Sequence, residues 1–240
     1  MAQDFTYRGD VVVFDLDDTL ASERLYCRSG FRFAADWLSR FYSGLGDTAE
    51  VVVVMDEALN RRKPHYDSLE RWLESKGGEV AAIMPELVRA CRAHVPDNGY
   101  KLTSGARDVL ERLRRKGVRM GLITDGRSIT QREKIKALSL DEYFAPDAIF
   151  ISEEQGRDKN SPESFEAMVH LFPEARRFWY VGDNPEKDFR WPNLLGWNTV
   201  CIRDVDDTNI FPQQPKEFPY AASMTIDSIS DLPAILERSE

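Results

Sequence analysis

The apolar run Val11-Val12-Val13-Phe14 contains three β-branched residues and no polar break, which predicts a strand over 11–16 buried on both faces. From Glu23 to Ser43 the period changes to that of a helix, with Ala34, Trp37, Leu38 and Phe41 spaced as one buried stripe. Ser43-Gly44-Leu45-Gly46 breaks that helix, and Asp47-x-x-Glu50 resembles a capping box for a second one. Val51 to Val54 alone would suit a strand, but Met55 to Asn60 continue with helix formers, so a helix is expected, ended by Lys63-Pro64. Leu69, Trp72 and Leu73 mark an amphipathic segment over 65–76, stopped by Gly77-Gly78, and another helix is expected over 79–94.

Pro96-Asp97-Asn98-Gly99 is a turn cluster, and beyond it the pattern alternates. Helices are expected over 104–116, 128–138, 161–171 and 186–195, and strands over 118–123, 147–151, 177–181 and 198–202. Such alternation predicts an α/β fold: a parallel sheet covered by helices on both faces and joined by right-handed crossovers. Residues 203–220, rich in Asp, Pro and Gln, read as a surface loop. A last strand is expected within Ala222 to Ile226, and Asp231-Leu232-Pro233 opens a closing helix. The helical stretch 21–99 therefore interrupts an α/β domain made of 1–20 and 100–240.

With 240 residues the chain suits one large domain, or one domain carrying a smaller insertion. A net charge of −9 argues against a non-specific nucleic-acid surface. No apolar run approaches the roughly 18 residues of a membrane span. Met1-Ala2-Gln3-Asp4 lacks the basic-then-apolar form of a secretory signal. Cys27, Cys91 and Cys201 are widely spaced and read as free or buried thiols rather than a disulfide set or zinc site. Together these point to a cytoplasmic protein without membrane or nucleic-acid partners; monomer and homodimer both stay open.

The candidate chemistry begins where the first strand ends, at Asp15-Leu16-Asp17-Asp18-Thr19. Carboxylates this close repel one another unless a cation sits among them, and a hard divalent ion such as Mg²⁺ takes oxygen ligands of this kind. A lone Asp-x-Asp equally suits an acidic turn ahead of a helix. Here three further segments accompany it: Leu122-Ile123-Thr124-Asp125-Gly126, Lys159-Asn160-Ser161-Pro162, and Val181-Gly182-Asp183-Asn184-Pro185-Glu186-Lys187-Asp188. Asp15, Thr124 and Asp183 each fall just past a separate expected strand. Ligands of open parallel sheets gather at those strand ends, so one crevice is expected to hold all three.

In this order the four segments resemble the motifs of the haloacid dehalogenase superfamily, in particular its phosphatases. The resemblance covers the first strand and most of the chain after Tyr100. It implies a Rossmann-like core with 21–99 as a helical cap, and Mg²⁺-dependent hydrolysis of a small phosphorylated metabolite through an aspartyl phosphate. It makes Asp15 the nucleophile, Asp17 the general acid and base, and Thr124, Asp125 and Lys159 the phosphate-binding set, with Thr124 and Lys159 also catalytic. It assigns the metal to Asp15, Asp17 (by its backbone carbonyl), Asp183 and Asp188, with Asp188 either holding the ion through water or orienting Lys159. Asp125 stands where the motif usually has Asn, and Asn160 where Pro usually follows the lysine; Arg157 is a rival to Lys159.

Related readings remain beside this one. A phosphonatase or sugar-phosphate mutase would share Asp15 and Asp17, the former using a cap lysine such as Lys63 or Lys76. A non-catalytic binding module could use the same scaffold. Asp17 itself argues against dehalogenation, since the dehalogenases of the superfamily lack that acid. Arg24, Arg28 and Arg32 lie on one helix face and suit either solvent or an anionic substrate, while His65 and His94 read as surface or packing residues.

Overall fold

The structure is a computed structural model that describes residues 9–238. The N-terminal segment read above against a secretory signal lies outside the described residues.

The first strand, β1 (Asp10–Phe14), lies inside a six-stranded sheet and is buried along its whole length. Its side chains alternate between faces: Val12 and Phe14 enter one apolar cluster, Val11 and Val13 another. On one side it pairs with β2 (Arg119–Thr124), which pairs in turn with β3 (Ile149–Ile151). On the other side follow β4 (Arg177–Gly182), β5 (Asn198–Ile202) and β6 (Met224–Ile226). Every pairing is parallel and the order is β3-β2-β1-β4-β5-β6. Chain order reverses direction at β1 and β4, which opens a crevice at their carboxyl ends.

Between β1 and β2 the chain inserts four helices, α1 (Glu23–Phe41), α2 (Glu50–Asn60), α3 (His65–Ser75) and α4 (Val80–Arg92). They bury a cluster of their own around Phe31, Leu38, Val51, Leu69, Trp72 and Leu87. The Val51–Val54 run is helical because Val51, Met55, Ala58 and Leu59 form one buried stripe. The expected capping box is absent. Asp47 Oδ1 accepts from Ala49 N at 3.0 Å, and Glu50 turns to Trp72 Nε1 at 2.9 Å and Lys76 at 2.7 Å. None of the three arginines on α1 is a free anion receptor: Arg24 donates to Thr208 O and Asn60, Arg28 pairs with Asp56, and Arg32 pairs with Asp97.

The remaining helices are α5 (Ala106–Arg115), α6 (Ser128–Ala137), α7 (Ser152–Gln155), α8 (Glu163–Leu171), α9 (Arg190–Leu194) and α10 (Leu232–Arg238). Residues of α5, α6 and α10 pack on the face that holds Phe14, while Phe165 and Met168 of α8 pack on the face that holds Val13. The helix expected over 186–195 is shorter because Asp188 is used by a turn. Its Oδ2 accepts the N–H groups of Asn184 at 2.8 Å and Asp183 at 3.2 Å. No described helix is long and apolar enough to cross a membrane.

Candidate active site

β1, β2 and β4 deliver Asp15, Thr124 and Asp183 to one end of the sheet, each buried. Asp15 continues the β1–β4 pairing, its N–H donating to Val181 O at 2.9 Å, so its side chain is fixed by the sheet rather than by a loose loop. Lys159 reaches the same point from the loop before α8. Its Nζ donates to Asp15 Oδ1 and to Asp188 Oδ1, both at 2.6 Å. Lys159 is 2 % exposed, whereas Arg157 pairs at the surface with Glu163, so Lys159 is the one of the two cations brought to Asp15. Asp188 approaches so closely that a Cβ on Gly182 would stand 2.5 Å from its Oδ2, which explains the glycine before Asp183.

The charge at this point is unbalanced. Carboxylate oxygens of Asp15, Asp183 and Asp188 lie within 4.8 Å of one another, and among the described residues Lys159 is the cation that pairs with them. Three carboxylates against one ammonium leave two formal negative charges. Burial, with Asp188 and Asp17 adding to it against Lys159, raises the Asp15 carboxyl to about 7. Burial and the neighbouring Asp188 and Asp15 push Asp183 well above the carboxylate range. Lys159 is held well above its ordinary value, because Asp15 and Asp188 outweigh the cost of burial. Oxygen donors with excess negative charge fit a hard divalent cation, so the residues present suit the metal that the motifs imply.

Asp17 points elsewhere. Its carboxylate accepts from Lys134 Nζ at 2.7 and 2.8 Å and from Gln131 Nε2 at 3.0 Å. The same Gln131 nitrogen donates to Thr124 Oγ1 at 2.6 Å, which leaves the threonine hydroxyl hydrogen free to donate. Lys134 and Gln131 are both buried on α6. Sequence reasoning passed over them, because neither lies in one of the four segments and a helical Lys or Gln ordinarily faces water.

Asp125, the departure from the usual motif, has its side chain committed to neighbours at the edge of the crevice. Oδ1 accepts the Lys159 N–H at 3.0 Å, and Oδ2 stands 3.4 Å from Lys187 Nζ. It ties the lysine loop to the end of β2. Asp18 is a brace between loops: its carboxylate accepts from Glu23 N at 2.8 Å and Ile210 N at 3.3 Å, and burial raises it to about 6.

The stretch 203–220 is more than a surface loop. Asn209, 8 % exposed, donates to Asp183 Oδ2 at 2.7 Å, and Gln213 Nε2 donates to Asp183 O at 2.7 Å. Asp204 accepts the N–H groups of Thr208 and Asn209 and so shapes the turn that presents Asn209. The same stretch holds the inserted helices through Arg62–Asp207 and the Arg24 bond to Thr208 O. Of the lysines a phosphonatase could use, Lys76 is committed to Glu50 and the Trp72 ring. A cavity of about 70 Å³ at Asp15, Thr124 and Lys159 adjoins one of about 270 Å³ beneath the inserted helices. Asp17, Glu23 and Asp125 border both.

The profile described as "Hydrolase: haloacid dehalogenase-like hydrolase" matches residues 10–190. A glyceraldehyde 3-phosphate phosphatase of Pyrococcus abyssi is 31 % identical over 200 residues, covering 80 % of this chain and 81 % of that protein. The human N-acylneuraminate-9-phosphatase is 26 % identical over 246 residues, covering 96 % and 94 %. Among solved structures, a hydrolase of this type from Bacillus subtilis, bound to magnesium, superposes with a TM-score of 0.63 at 19 % identity, covering 95 % of this chain and 98 % of that one. The fold is therefore shared, while the relatives differ in the phosphate ester that their names give.

Proposed function

The chain belongs to the haloacid dehalogenase-like hydrolases and is a phosphatase, and from that premise we propose that it hydrolyses a small phosphate monoester through an aspartyl phosphate on Asp15. The observation that carries this reading is the Lys159 ammonium, buried and shared between Asp15 and Asp188 beside Asp183. That arrangement fixes one ammonium at the point where a transferring phosphoryl group would develop negative charge, among carboxylates that would hold a divalent cation.

In the first half-reaction an Asp15 oxygen attacks phosphorus, the bond from phosphorus to the ester oxygen breaks, and Asp17 gives its proton to the departing oxygen. In the second, water attacks the phosphorus of the acyl phosphate, Asp17 takes a proton from it, and inorganic phosphate and the Asp15 carboxylate are regenerated. The bonds that Asp17 accepts from Lys134 and Gln131 fix the position of its carboxyl group beside the crevice. Thr124 donates its hydroxyl hydrogen to a phosphoryl oxygen, with backbone N–H groups near Asp125 completing the cradle. Mg²⁺, held by the carboxylates of Asp15 and Asp183 and the carbonyl of Asp17, would supply Lewis-acid neutralisation of the phosphoryl oxygens. Asp188 orients Lys159 and the 183–184 turn.

The inserted helices, 21–99, act as a cap over a core of 1–20 and 100–240, excluding water and selecting the leaving group. Free thiols at Cys27, Cys91 and Cys201 suit a reducing cytoplasm. The reading is tested by measuring phosphate release from a panel of small phosphomonoesters with Mg²⁺ and with EDTA. Release that requires Mg²⁺ is expected, and folded protein that releases none under either condition contradicts the reading.

A further inference from the structure

The cavity of about 270 Å³ next to Asp17 carries chemistry that hydrolysis at Asp15 does not use. Its volume lies just below the range of about 300–1,000 Å³ usual for small-molecule sites, which suits a small ligand. One wall is apolar, with Phe31 and Met55. Another is built outward from the reacting end: Lys134 grips Asp17 and lies 4.3 Å from the Tyr26 ring centre, and that ring lies 4.8 Å from the His94 ring at a tilt of 39°. The wall thus runs from the leaving-group side of the reaction to His94.

His94 is 3 % exposed, and its two ring nitrogens differ. Nδ1 lies 2.6 Å from the Cys91 carbonyl, which can only accept, so Nδ1 carries the hydrogen. Nε2 is then a bare acceptor, and it is buried with no hydrogen-bond partner among the described residues. An orphaned buried acceptor is costly unless something donates to it. Gly30 stands opposite, inside α1, where glycine costs helix stability relative to alanine. A Cβ there would touch His94 Cε1 at 3.4 Å and come to 3.8 Å from Nε2, so glycine keeps the space before the ring open.

The rim supplies the complementary sign. Arg92 ends α4 at the cavity, and its carbonyl accepts the Thr130 hydroxyl at 3.0 Å, which fixes that corner against α6. Arg127 across the cavity faces Glu153 at 3.7 Å, and Lys134 is matched by Asp17. No ion pair joins the Arg92 guanidinium to another described residue, and its planar fork suits a carboxylate.

Resting on the phosphatase reading, we propose that this cavity is the leaving-group subsite for a sugar-acid phosphate. A hydroxyl on its carbon chain donates to His94 Nε2, and a carboxylate at the end remote from the phosphate meets Arg92. The acceptor and the free guanidinium together set the class: a plain alkyl phosphate satisfies neither, and a neutral polyol phosphate satisfies only the first.

The test compares kcat/KM of the full chain with Mg²⁺ for phosphogluconate, sorbitol phosphate, hexyl phosphate and p-nitrophenyl phosphate. The expected order is the order given for the first three. Arg92→Ala should lower kcat/KM for phosphogluconate by about tenfold or more and leave sorbitol phosphate unchanged. Gly30→Ala, which favours the helix and keeps the fold, should lower both hydroxylated substrates and spare p-nitrophenyl phosphate. His94→Phe should do the same, with its melting temperature checked alongside. Equal kcat/KM across the first three substrates, or folded variants that slow all four alike, would overturn the subsite while leaving the phosphatase reading intact. No release from any of the four, p-nitrophenyl phosphate included, would overturn that reading and this inference with it.

Discussion

The two ends of β1 bury an aspartate each, and they treat it in opposite ways. At the amino end Asp10 is 3 % exposed and fully answered. Arg177 grips both of its oxygens, at 2.9 and 3.0 Å, and Trp179 Nε1 adds a third bond at 3.3 Å. At the carboxyl end Asp15 is 5 % exposed and shares one ammonium with Asp188, beside Asp183. Burial is the same and pairing is not. Matched buried charge braces a fold; unmatched buried carboxylate charge costs stability and is kept where a cation completes it.

The sharpest way to break this comparison is to neutralise each aspartate in turn. Asp15→Asn should reduce turnover by about four orders of magnitude or more while leaving the melting temperature the same or higher. Asp10→Ala should leave kcat of the folded protein unchanged and cost about 2–3 kcal/mol in chemical denaturation, at or below the range for a fully buried pair because Arg177 keeps some solvent. Steady-state kinetics and urea titrations of both variants read the contrast directly. Equal effects on rate would erase it.

Removing the shared cation comes next. Lys159→Met should lower kcat by about 10²–10³-fold, since it takes away preorganised charge facing the phosphoryl group. A smaller effect is expected one bond further out. Asn209→Ala, which frees Asp183 Oδ2, should weaken Mg²⁺ binding by about tenfold in calorimetric titration, at the low end of the range for residues that orient a metal ligand.

These variants also mark what the sequence could and could not convey. Asp15, Thr124, Lys159 and Asp183 were legible because strand ends and short motifs place them, and the parallel sheet followed from alternating strands and helices. Asn209 and Gln213 were not: they sit on a stretch whose composition speaks only of turns, and their contact with Asp183 depends on how that loop folds back over the sheet. Lys134 and Gln131 were hidden because they are buried by tertiary contacts with Asp17, Thr124 and Tyr26, which no local period reports. Asp125 stands at the end of β2 as expected, and that its carboxylate is engaged by the lysine loop and Lys187 appears only in three dimensions. In the sequence His94 reads as a surface or packing residue, and its unpartnered nitrogen appears only once the inserted helices are assembled. The capping box at Asp47 failed because Glu50 has stronger partners in Lys76 and Trp72.

The smallest expected effect is one of pH. Burial raises Asp15 and Glu23 to about 7 and Asp18 to about 6, above the roughly 4 of an unfolded carboxylate. Between those values the folded chain binds more protons than the unfolded one, so the stability of the metal-free protein falls as pH rises from about 4 to about 7. Mg²⁺ should therefore raise the melting temperature more at about pH 8 than at about pH 5.5. In Asp15→Asn the fall across that window should be shallower. A metal-free melting temperature with the same pH slope in both proteins would remove Asp15 from the account.

The central claim is that the unmatched carboxylate at the end of β1 forms a bond to phosphorus. Mass spectrometry of protein quenched in acid during turnover tests it most directly. The account predicts a phosphoryl adduct on the peptide holding Asp15, present in the native protein and missing from Asp15→Asn. Turnover with no such adduct, together with activity retained by Asp15→Asn, would contradict it.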